Sequence, residues 1–191
     1  MEQIIRSAIQ ASVDTKQKIL QQEAMLGDIE KAVALTTRAF KQGNRVWFCG
    51  NGGSAADAQH LAAEFSGRFY KNRLALPAEA LHCNTSYLTA VANDFGYNEI
   101  YARLVEGIMP AGDIIFGFST SGNSPNIVAA FETARKKGVH TIGFTGARGG
   151  DLRPLSDILF DVPSNDTPRI QESHIMIGHI ICQLVEENYF A

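Results

Sequence analysis

Several common features are scarce in this chain of 191 residues, and each scarcity excludes a class of protein. Its three cysteines form no CxxC pair and lie far apart, which excludes a disulfide framework and favours reduced thiols. The formal net charge is only -3, so nothing indicates a nucleic-acid-binding surface. No apolar run is long enough to span a bilayer, and the N-terminus has no hydrophobic signal core. We therefore expect a cytoplasmic protein that binds neither nucleic acid nor membranes.

The chain also lacks repeats, low-complexity segments and linkers. Hydrophobic residues make up 45% of it and charged residues 19%, as is typical of a globular protein. The length is compatible with one domain that buries a sizeable core. We therefore predict a single domain over residues 1–191.

The most informative stretch is CGNGGSAADAQHLAAEFSGR, residues 49–68. It follows a short apolar run, predicted to be a buried strand, and leads into an alanine-rich helix. Gly50, Gly52 and Gly53 allow a sharp turn and a close approach to a ligand, and Ser54 is expected to cap the helix. The free N–H groups of such a helix N-terminus favour an anion, most often a phosphate. No lysine follows the glycines, which excludes a P-loop, and their spacing does not match the dinucleotide fingerprint.

Two functional side chains lie on the helix that this stretch begins. His60 and Glu64 are four residues apart, which places an imidazole and a carboxylate on one helix face. The pair suits either metal ligation or proton transfer. Most such pairs are only solvated surface pairs, but this pair follows a predicted anion site within reach of a ligand bound there.

A second polar turn, STSGNSPN at residues 119–126, follows the predicted strand Asp113–Phe118. Ser124 and the following proline are expected to begin a helix that ends at Gly138, before a strand over Val139–Phe144. These elements form a βαβ unit. In doubly wound sheets, ligands bind outside the carboxyl ends of the strands, where both polar turns would lie. The alternative for the hydroxyl-rich turn is a simple capping loop.

Hydrophobic spacing indicates the remaining elements. A helix from Ile4 to about Met25 carries a narrow apolar stripe, which should pack on something outside the core. The final helix, with Thr167 as its cap, is apolar nearly all round over Ile170–Val185, which suggests a subunit interface. The other predicted elements are a helix capped by Asp28 and ending at Gly43, a strand within Pro77–Cys83, a capped helix from Thr85, a loop over Asp94–Asn98 and a strand over Ile158–Val162.

Four motifs, FCGNGGSAADAQHLAAEFSGRF, AVANDFGYN, FSTSGNSPN and RIQESH, are characteristic when found together. Over essentially its whole length the chain resembles the sugar isomerase (SIS) domain family, and His60, Glu64, Gln171 and His179 resemble its heptose-phosphate isomerase branch. The resemblance implies an α/β fold, a flavodoxin-like three-layer αβα sandwich around a five-stranded parallel sheet. It also implies a homotetramer with active sites at subunit interfaces, in which the N-terminal helices of residues 1–42 serve oligomerisation.

The activity that the resemblance implies is aldose–ketose isomerisation of sedoheptulose 7-phosphate to D-glycero-D-manno-heptose 7-phosphate. The product would feed ADP-heptose for lipopolysaccharide core or another heptose glycan. Glu64 would be the base and His179 the acid. One zinc ion per subunit would be held by His60, Glu64, Gln171 and His179, although such donors also suit other divalent metals. The implied substrate contacts are Asn51, Gly52, Gly53, Ser54, Glu64, Arg68, Asn93, Asp94, Ser119, Thr120, Ser121, Ser124 and Gln171.

Two other functions on the same fold stay open. One is a non-catalytic protein, either a phosphosugar sensor or a relative of the replication-initiator-associating protein, but the presence of Glu64 and His179 argues against the latter. The other is an isomerase or lyase of a hexose or pentose phosphate. The sequence also departs from some members at Pro168, where they carry Asp, and Asp166 is near enough to substitute for that side chain.

Overall fold

A computed structural model describes all 191 residues of the chain, in which seven α-helices alternate with five strands. None of the helices is long and apolar enough to cross a membrane. The helices are α1 (Glu2–Leu20), α2 (Glu23–Lys41), α3 (Gly53–Ser66), α4 (Thr85–Phe95), α5 (Ile100–Ile108), α6 (Pro125–Lys137) and α7 (Thr167–Tyr189). The strands are β1 (Val46–Gly50), β2 (Ala78–Ala80), β3 (Ile114–Phe118), β4 (His140–Gly146) and β5 (Ile158–Val162).

The five strands form one sheet in the order β2-β1-β3-β4-β5, and every neighbouring pair is parallel. Strands β1 and β3 are buried throughout, as expected of central strands covered on both faces. The strand order reverses between β1 and β3, so the loops that follow these two strands flank the crevice where ligands bind in such sheets. The predicted five-stranded parallel sheet is confirmed.

Helices cover both faces of the sheet and complete three layers. Helices α2, α3 and α7 pack on one face, where Phe48, Phe116, Phe144 and Phe160 of adjacent strands form a row of rings. Successive ring centroids in this row are 4.9, 6.0 and 4.8 Å apart. Helices α4, α5 and α6 pack on the opposite face, against side chains such as Trp47. The αβα sandwich is therefore held by two separate hydrophobic cores.

Helix α1 lies at the edge of the first core, against α2 and α7. Only Thr15 and Ile19 of this helix are buried. The side chains of its apolar stripe remain on the surface, namely Ile5, Ile9, Val13 and Leu20. This helix therefore carries the narrow apolar stripe that its sequence predicted.

Two helix starts differ from their sequence predictions. Helix α2 begins at Glu23, so Asp28 lies inside it, where its carboxylate accepts a hydrogen bond of 2.7 Å from Lys31 and caps nothing. Helix α3 begins at Gly53, and Ser54 is buried within its first turn without capping it. In α2 the apolar contacts extend further towards the N-terminus than the capping residue suggested, since Met25 is buried.

The loop predicted over Asp94–Asn98 is largely helical. Helix α4 continues through Phe95, Gly96 turns the chain at a φ of 92°, and a 3₁₀ turn spans Tyr97–Glu99. Likewise, α7 already begins at Thr167, so its N-cap is Asp166. Helix α5 and a 3₁₀ segment over Gly150–Leu155 were not predicted.

Candidate active site

The glycine turn after β1 and the hydroxyl loop after β3, residues 119–124, lie side by side. Gly50 and Phe118 are partners at the ends of these paired strands, so the residues that follow them meet. The side-chain amides of Asn51 and Asn126 form two reciprocal hydrogen bonds of 2.9 Å, and the Tyr97 hydroxyl donates to Asn51 Oδ1 at 3.1 Å. The two polar turns therefore form one continuous edge of the crevice, as their sequence positions predicted.

The hydroxyl loop is shaped by its own side chains. Ser119 Oγ is 2.8 Å from Ser124 Oγ and 3.4 Å from Ser121 Oγ, and it accepts a hydrogen bond from the Ser124 amide at 3.3 Å. Gly122 turns the loop with a φ of 73°. Three predicted substrate-binding hydroxyls thus converge at the N-terminus of α6, where the helix dipole favours an anion. Thr120 is half-buried in the same loop.

Residues from α3 and α7 meet beside the glycine turn. His60 Nε2 is 3.0 Å from Glu64 Oε1 and 3.4 Å from His179 Nε2, and the three ligand atoms lie within 4.8 Å of one another. The second carboxylate oxygen of Glu64 makes no hydrogen bond within the chain. The structure therefore brings together three of the four predicted metal ligands and both predicted catalytic residues.

The surroundings of His179 favour its uncharged form. Burial lowers the pKa of His179, the neighbouring His60 lowers it further, and Glu64 opposes both effects. The ring also packs against Phe69, with centroids 5.6 Å apart. A neutral imidazole can donate a proton from one nitrogen and accept one at the other, which suits a group that serves two neighbouring oxygens.

Two of the three donor-atom separations in this group fit a tetrahedral metal. Zinc bound at about 2.0–2.1 Å places neighbouring donor atoms about 3.3 Å apart. The observed separations of 3.0 Å between His60 and Glu64 and 3.4 Å between the two histidines are close to that spacing. Two imidazoles and one carboxylate are also a donor set that zinc prefers.

Gln171, the fourth predicted ligand, is a residue of α7, and its side-chain amide lies against Gly53 at the start of α3. A Cβ atom added at Gly53 would be 2.7 Å from Gln171 Nε2, so this amide lies directly against the backbone of the glycine turn. Gln171 makes no side-chain hydrogen bond to His60, Glu64 or His179. The glycine turn and the final helix thus touch through this contact.

Four further predicted substrate contacts are not joined to that group. Arg68 is exposed, and its guanidinium donates only to the Phe69 carbonyl, at 3.5 Å. Asn93 and Asp94 are exposed on the last turn of α4, where Asn93 donates to Asp94 at 2.8 Å. Ser54 is 4% exposed. Within one chain, these residues form no side-chain hydrogen bond with the three metal-site residues.

A polar cleft of about 340 Å³ lies between the hydroxyl loop and the start of α7. Thr120, Asn165 and Thr167 are among its lining residues, but Asp166 is not. Asp166 instead lines a shallow cleft on the side of α1, with Ala11 and Asp14. The expectation that Asp166 substitutes for an acidic side chain at position 168 therefore finds no support.

One buried ion pair was not predicted. Glu186 accepts hydrogen bonds from the Arg73 guanidinium at 2.7 Å and from the amides of Phe69, Tyr70 and Lys71. Arg73 also donates to the Glu64 carbonyl at 2.7 Å. The pair therefore fixes the segment after α3 onto α7, and its 113-residue separation gave no local pattern to reveal it.

Known proteins of one family are similar to this chain over most of its length. The SIS domain family matches residues 9–146. The phosphoheptose isomerase of Clostridium acetobutylicum is 48% identical over 190 residues, which cover 100% of this chain and 97% of that protein. That of Citrifermentans bemidjiense is 56% identical over 162 residues, 85% of this chain and 84% of that protein. The phosphoheptose isomerase structure from Neisseria gonorrhoeae superimposes with a TM-score of 0.91 at 35% identity, covering 97% of this chain and 98% of that chain.

Proposed function

This chain belongs to the phosphoheptose isomerase family of SIS domain proteins, and from that premise we propose how its residues carry out the reaction. It is an aldose–ketose isomerase that converts sedoheptulose 7-phosphate to D-glycero-D-manno-heptose 7-phosphate in heptose biosynthesis. The product then feeds ADP-heptose for lipopolysaccharide core or another heptose glycan. The observation that supports the mechanism is that the ligand atoms of Glu64 and His179 lie within 4.8 Å of each other beside two polar turns.

The phosphate binds at the hydroxyl loop. Ser119, Ser121 and Ser124 converge at the N-terminus of α6, and Thr120 completes the set of hydroxyls. The sugar then extends towards Asn51, Gly52, Gly53 and Gln171. Because the phosphate is remote from the reacting carbons, its binding energy orients C1 and C2 for the chemical step.

Glu64 and His179 move the protons. Glu64 removes a proton from C1 of the ketose, which gives an ene-diol, and the proton is returned at C2. The carboxylate oxygen that makes no hydrogen bond is the one available for this step. His179 passes a proton between the two substrate oxygens, and its lowered pKa keeps the imidazole neutral for both transfers.

His60, Glu64 and His179, with Gln171, would hold one zinc ion. When bound, the metal polarises the substrate carbonyl and stabilises negative charge on its oxygen. The spacing of the donor atoms supports this assignment. A chelator should therefore remove most of the activity, added zinc should restore it, and His60→Ala should bind less zinc by elemental analysis.

The protein acts as a homotetramer in the cytoplasm, with residues 1–42 at the subunit contacts. Two surfaces support the assembly, the apolar stripe of α1 and the half-buried apolar side chains of α7 such as Ile175 and Met176. Arg68, Asn93 and Asp94, which are exposed within one chain, would then reach a substrate across a subunit interface.

The test compares turnover of sedoheptulose 7-phosphate by wild type, Glu64→Gln and His179→Gln. Each variant should lower kcat by about 10²- to 10⁴-fold, with KM within a few-fold, because a lost proton transfer affects the transition state more than binding. The control Glu187→Gln also removes one negative charge, but from an exposed position on α7, and it should behave as wild type. A wild-type protein that binds the sugar phosphate but never converts it would instead indicate a phosphosugar sensor.

A further inference from the structure

Arg148 is the only charged side chain that lines the polar cleft beside the hydroxyl loop. The remaining lining consists of hydroxyls, amides, small residues and Ile170, contributed by the segments after three neighbouring strands and by the first turn of α7. No carboxylate faces the cleft, since Asp166 lines a different surface. The cleft is therefore electropositive, although the chain as a whole carries a net charge of -3.

The backbone on both sides of Arg148 is bonded to the hydroxyl loop. Before it, the Gly146 amide donates to the Thr120 carbonyl at 2.9 Å. After it, the Leu152 amide donates to the Gly122 carbonyl at 3.0 Å, and the Asp151 amide donates to Asn123 Oδ1 at 2.8 Å. These bonds hold the position of Arg148 relative to the phosphate-binding hydroxyls.

The Arg148 guanidinium has no partner within the protein. Arg73, Arg153 and Arg169, by contrast, each donate to a carboxylate within 2.7 Å. An exposed guanidinium beside neutral donors is suited to an anion, because its planar fork can donate two hydrogen bonds to phosphate oxygens. The hydroxyl loop by itself offers a phosphate dianion only neutral donors and a helix dipole.

We propose that Arg148 is a substrate-binding residue that pairs with the phosphate group of the phosphosugar. This assignment rests on the proposed function and extends it, since it gives the phosphate a cationic partner outside the serine and threonine loop. The ligand chemistry is a phosphate monoester, and the role of Arg148 is affinity and selectivity for that group. The proton transfers at C1 and C2 do not involve it.

The test uses wild type, Arg148→Gln, Arg148→Lys and the control Lys136→Gln, which removes the same charge from the exposed last turn of α6. Arg148→Gln should raise KM for sedoheptulose 7-phosphate by about 10- to 100-fold, with kcat within about threefold, as expected for a lost charge-assisted hydrogen bond. Arg148→Lys should recover part of the loss, because lysine keeps the charge without the fork. Lys136→Gln should match wild type.

Calorimetric titration of the same four proteins with sedoheptulose 7-phosphate and with inorganic phosphate separates this proposal from the isomerase assignment. Weaker binding of both ligands by Arg148→Gln supports the proposal, whether or not the wild type turns the sugar over. Equal affinity of wild type and Arg148→Gln for both ligands would overturn it. Wild-type binding without turnover would overturn only the isomerase assignment.

Discussion

Among single residues, Glu186 and Arg73 form the most completely buried ion pair, with side chains only 1% and 3% exposed. Burial alone would raise the pKa of Glu186, but hydrogen bonds from the Lys71 amide and from Arg73, together with those from Phe69 and Tyr70, lower it overall. The carboxylate is therefore charged in the folded protein and compensated on every side. Such a pair is costly to break, because removing one partner leaves a buried charge.

We expect Glu186→Gln to lower the free energy of unfolding by about 3–5 kcal/mol, since Arg73 would stay charged and unpaired. Urea denaturation at neutral pH measures this. The double variant Glu186→Leu with Arg73→Met, which removes both charges, should recover part of the loss. A change below about 1 kcal/mol in Glu186→Gln would contradict this account.

A second prediction concerns the pH dependence of folding stability, to which His174 contributes. Burial lowers its pKa to about 4, partly opposed by a hydrogen bond with the Thr145 carbonyl at 3.1 Å. Between pH 6.5 and about 4 the unfolded chain therefore binds a proton at His174 that the folded protein excludes. This contribution to stability is complete above pH 6.5 and is lost as the pH falls towards 4, by about 3 kcal/mol in total.

The measurement is the free energy of unfolding in urea at several pH values across that window. His174→Gln keeps an N–H donor for the Thr145 carbonyl but does not titrate. Its stability should fall less than that of wild type over the same range. Parallel curves for the two proteins would show that His174 is not the group responsible.

Among the secondary-structure elements, the junction between the hydroxyl loop and the 3₁₀ segment Gly150–Leu155 is the least tolerant of change. Gly122 has a φ of 73°, and a Cβ there would collide with the backbone carbonyl of Gly149. Gly122→Ala should therefore destabilise the protein by about 1–3 kcal/mol and raise KM at least tenfold, because its neighbours Ser121 and Asn123 line the polar cleft.

Gly107→Ala is the matched control. Gly107 lies in α5, and a Cβ there meets no atom within 4 Å. Alanine should stabilise the helix by about 0.5–1 kcal/mol and leave KM unchanged. If both alanine variants gave the same KM, tight packing at Gly122 would have no role in binding.

At the scale of the whole molecule, the main prediction is that the exposed apolar stripe of α1 forms a subunit contact. Ile5, Ile9 and Leu20 are 53%, 61% and 70% exposed, and such a row of large apolar side chains is unusual on a surface facing water. Ile9→Glu should dissociate the proposed tetramer, as measured by analytical ultracentrifugation. Ser7→Glu adds the same charge about 200° away around the helix and should leave the assembly intact. A wild-type monomer would refute the proposed assembly.

Local patterns in the sequence accounted for much of this fold. The five strands, the two polar turns after β1 and β3, and the pairing of His60 with Glu64 on one helix face all follow from spacing within a single element or turn. Helix α2 begins at Glu23 rather than near Asp28, because the buried Met25 extends its apolar contacts towards the N-terminus. Helix α7 begins at Thr167, one residue before the predicted start, a difference that is usual at helix ends. The four sequence motifs also indicated the family, through their resemblance to it.

Tertiary packing alone decided which residues of different elements contact each other. His179 reaches His60 over 119 positions, and Arg73 reaches Glu186 over 113, because α3 and α7 pack side by side on the same face of the sheet. Tertiary packing also places the free guanidinium of Arg148 beside the hydroxyl loop and Asp166 away from the cleft. Sequence periodicity specifies which face of an element is apolar, but the distance between two elements depends on how all their side chains fit together.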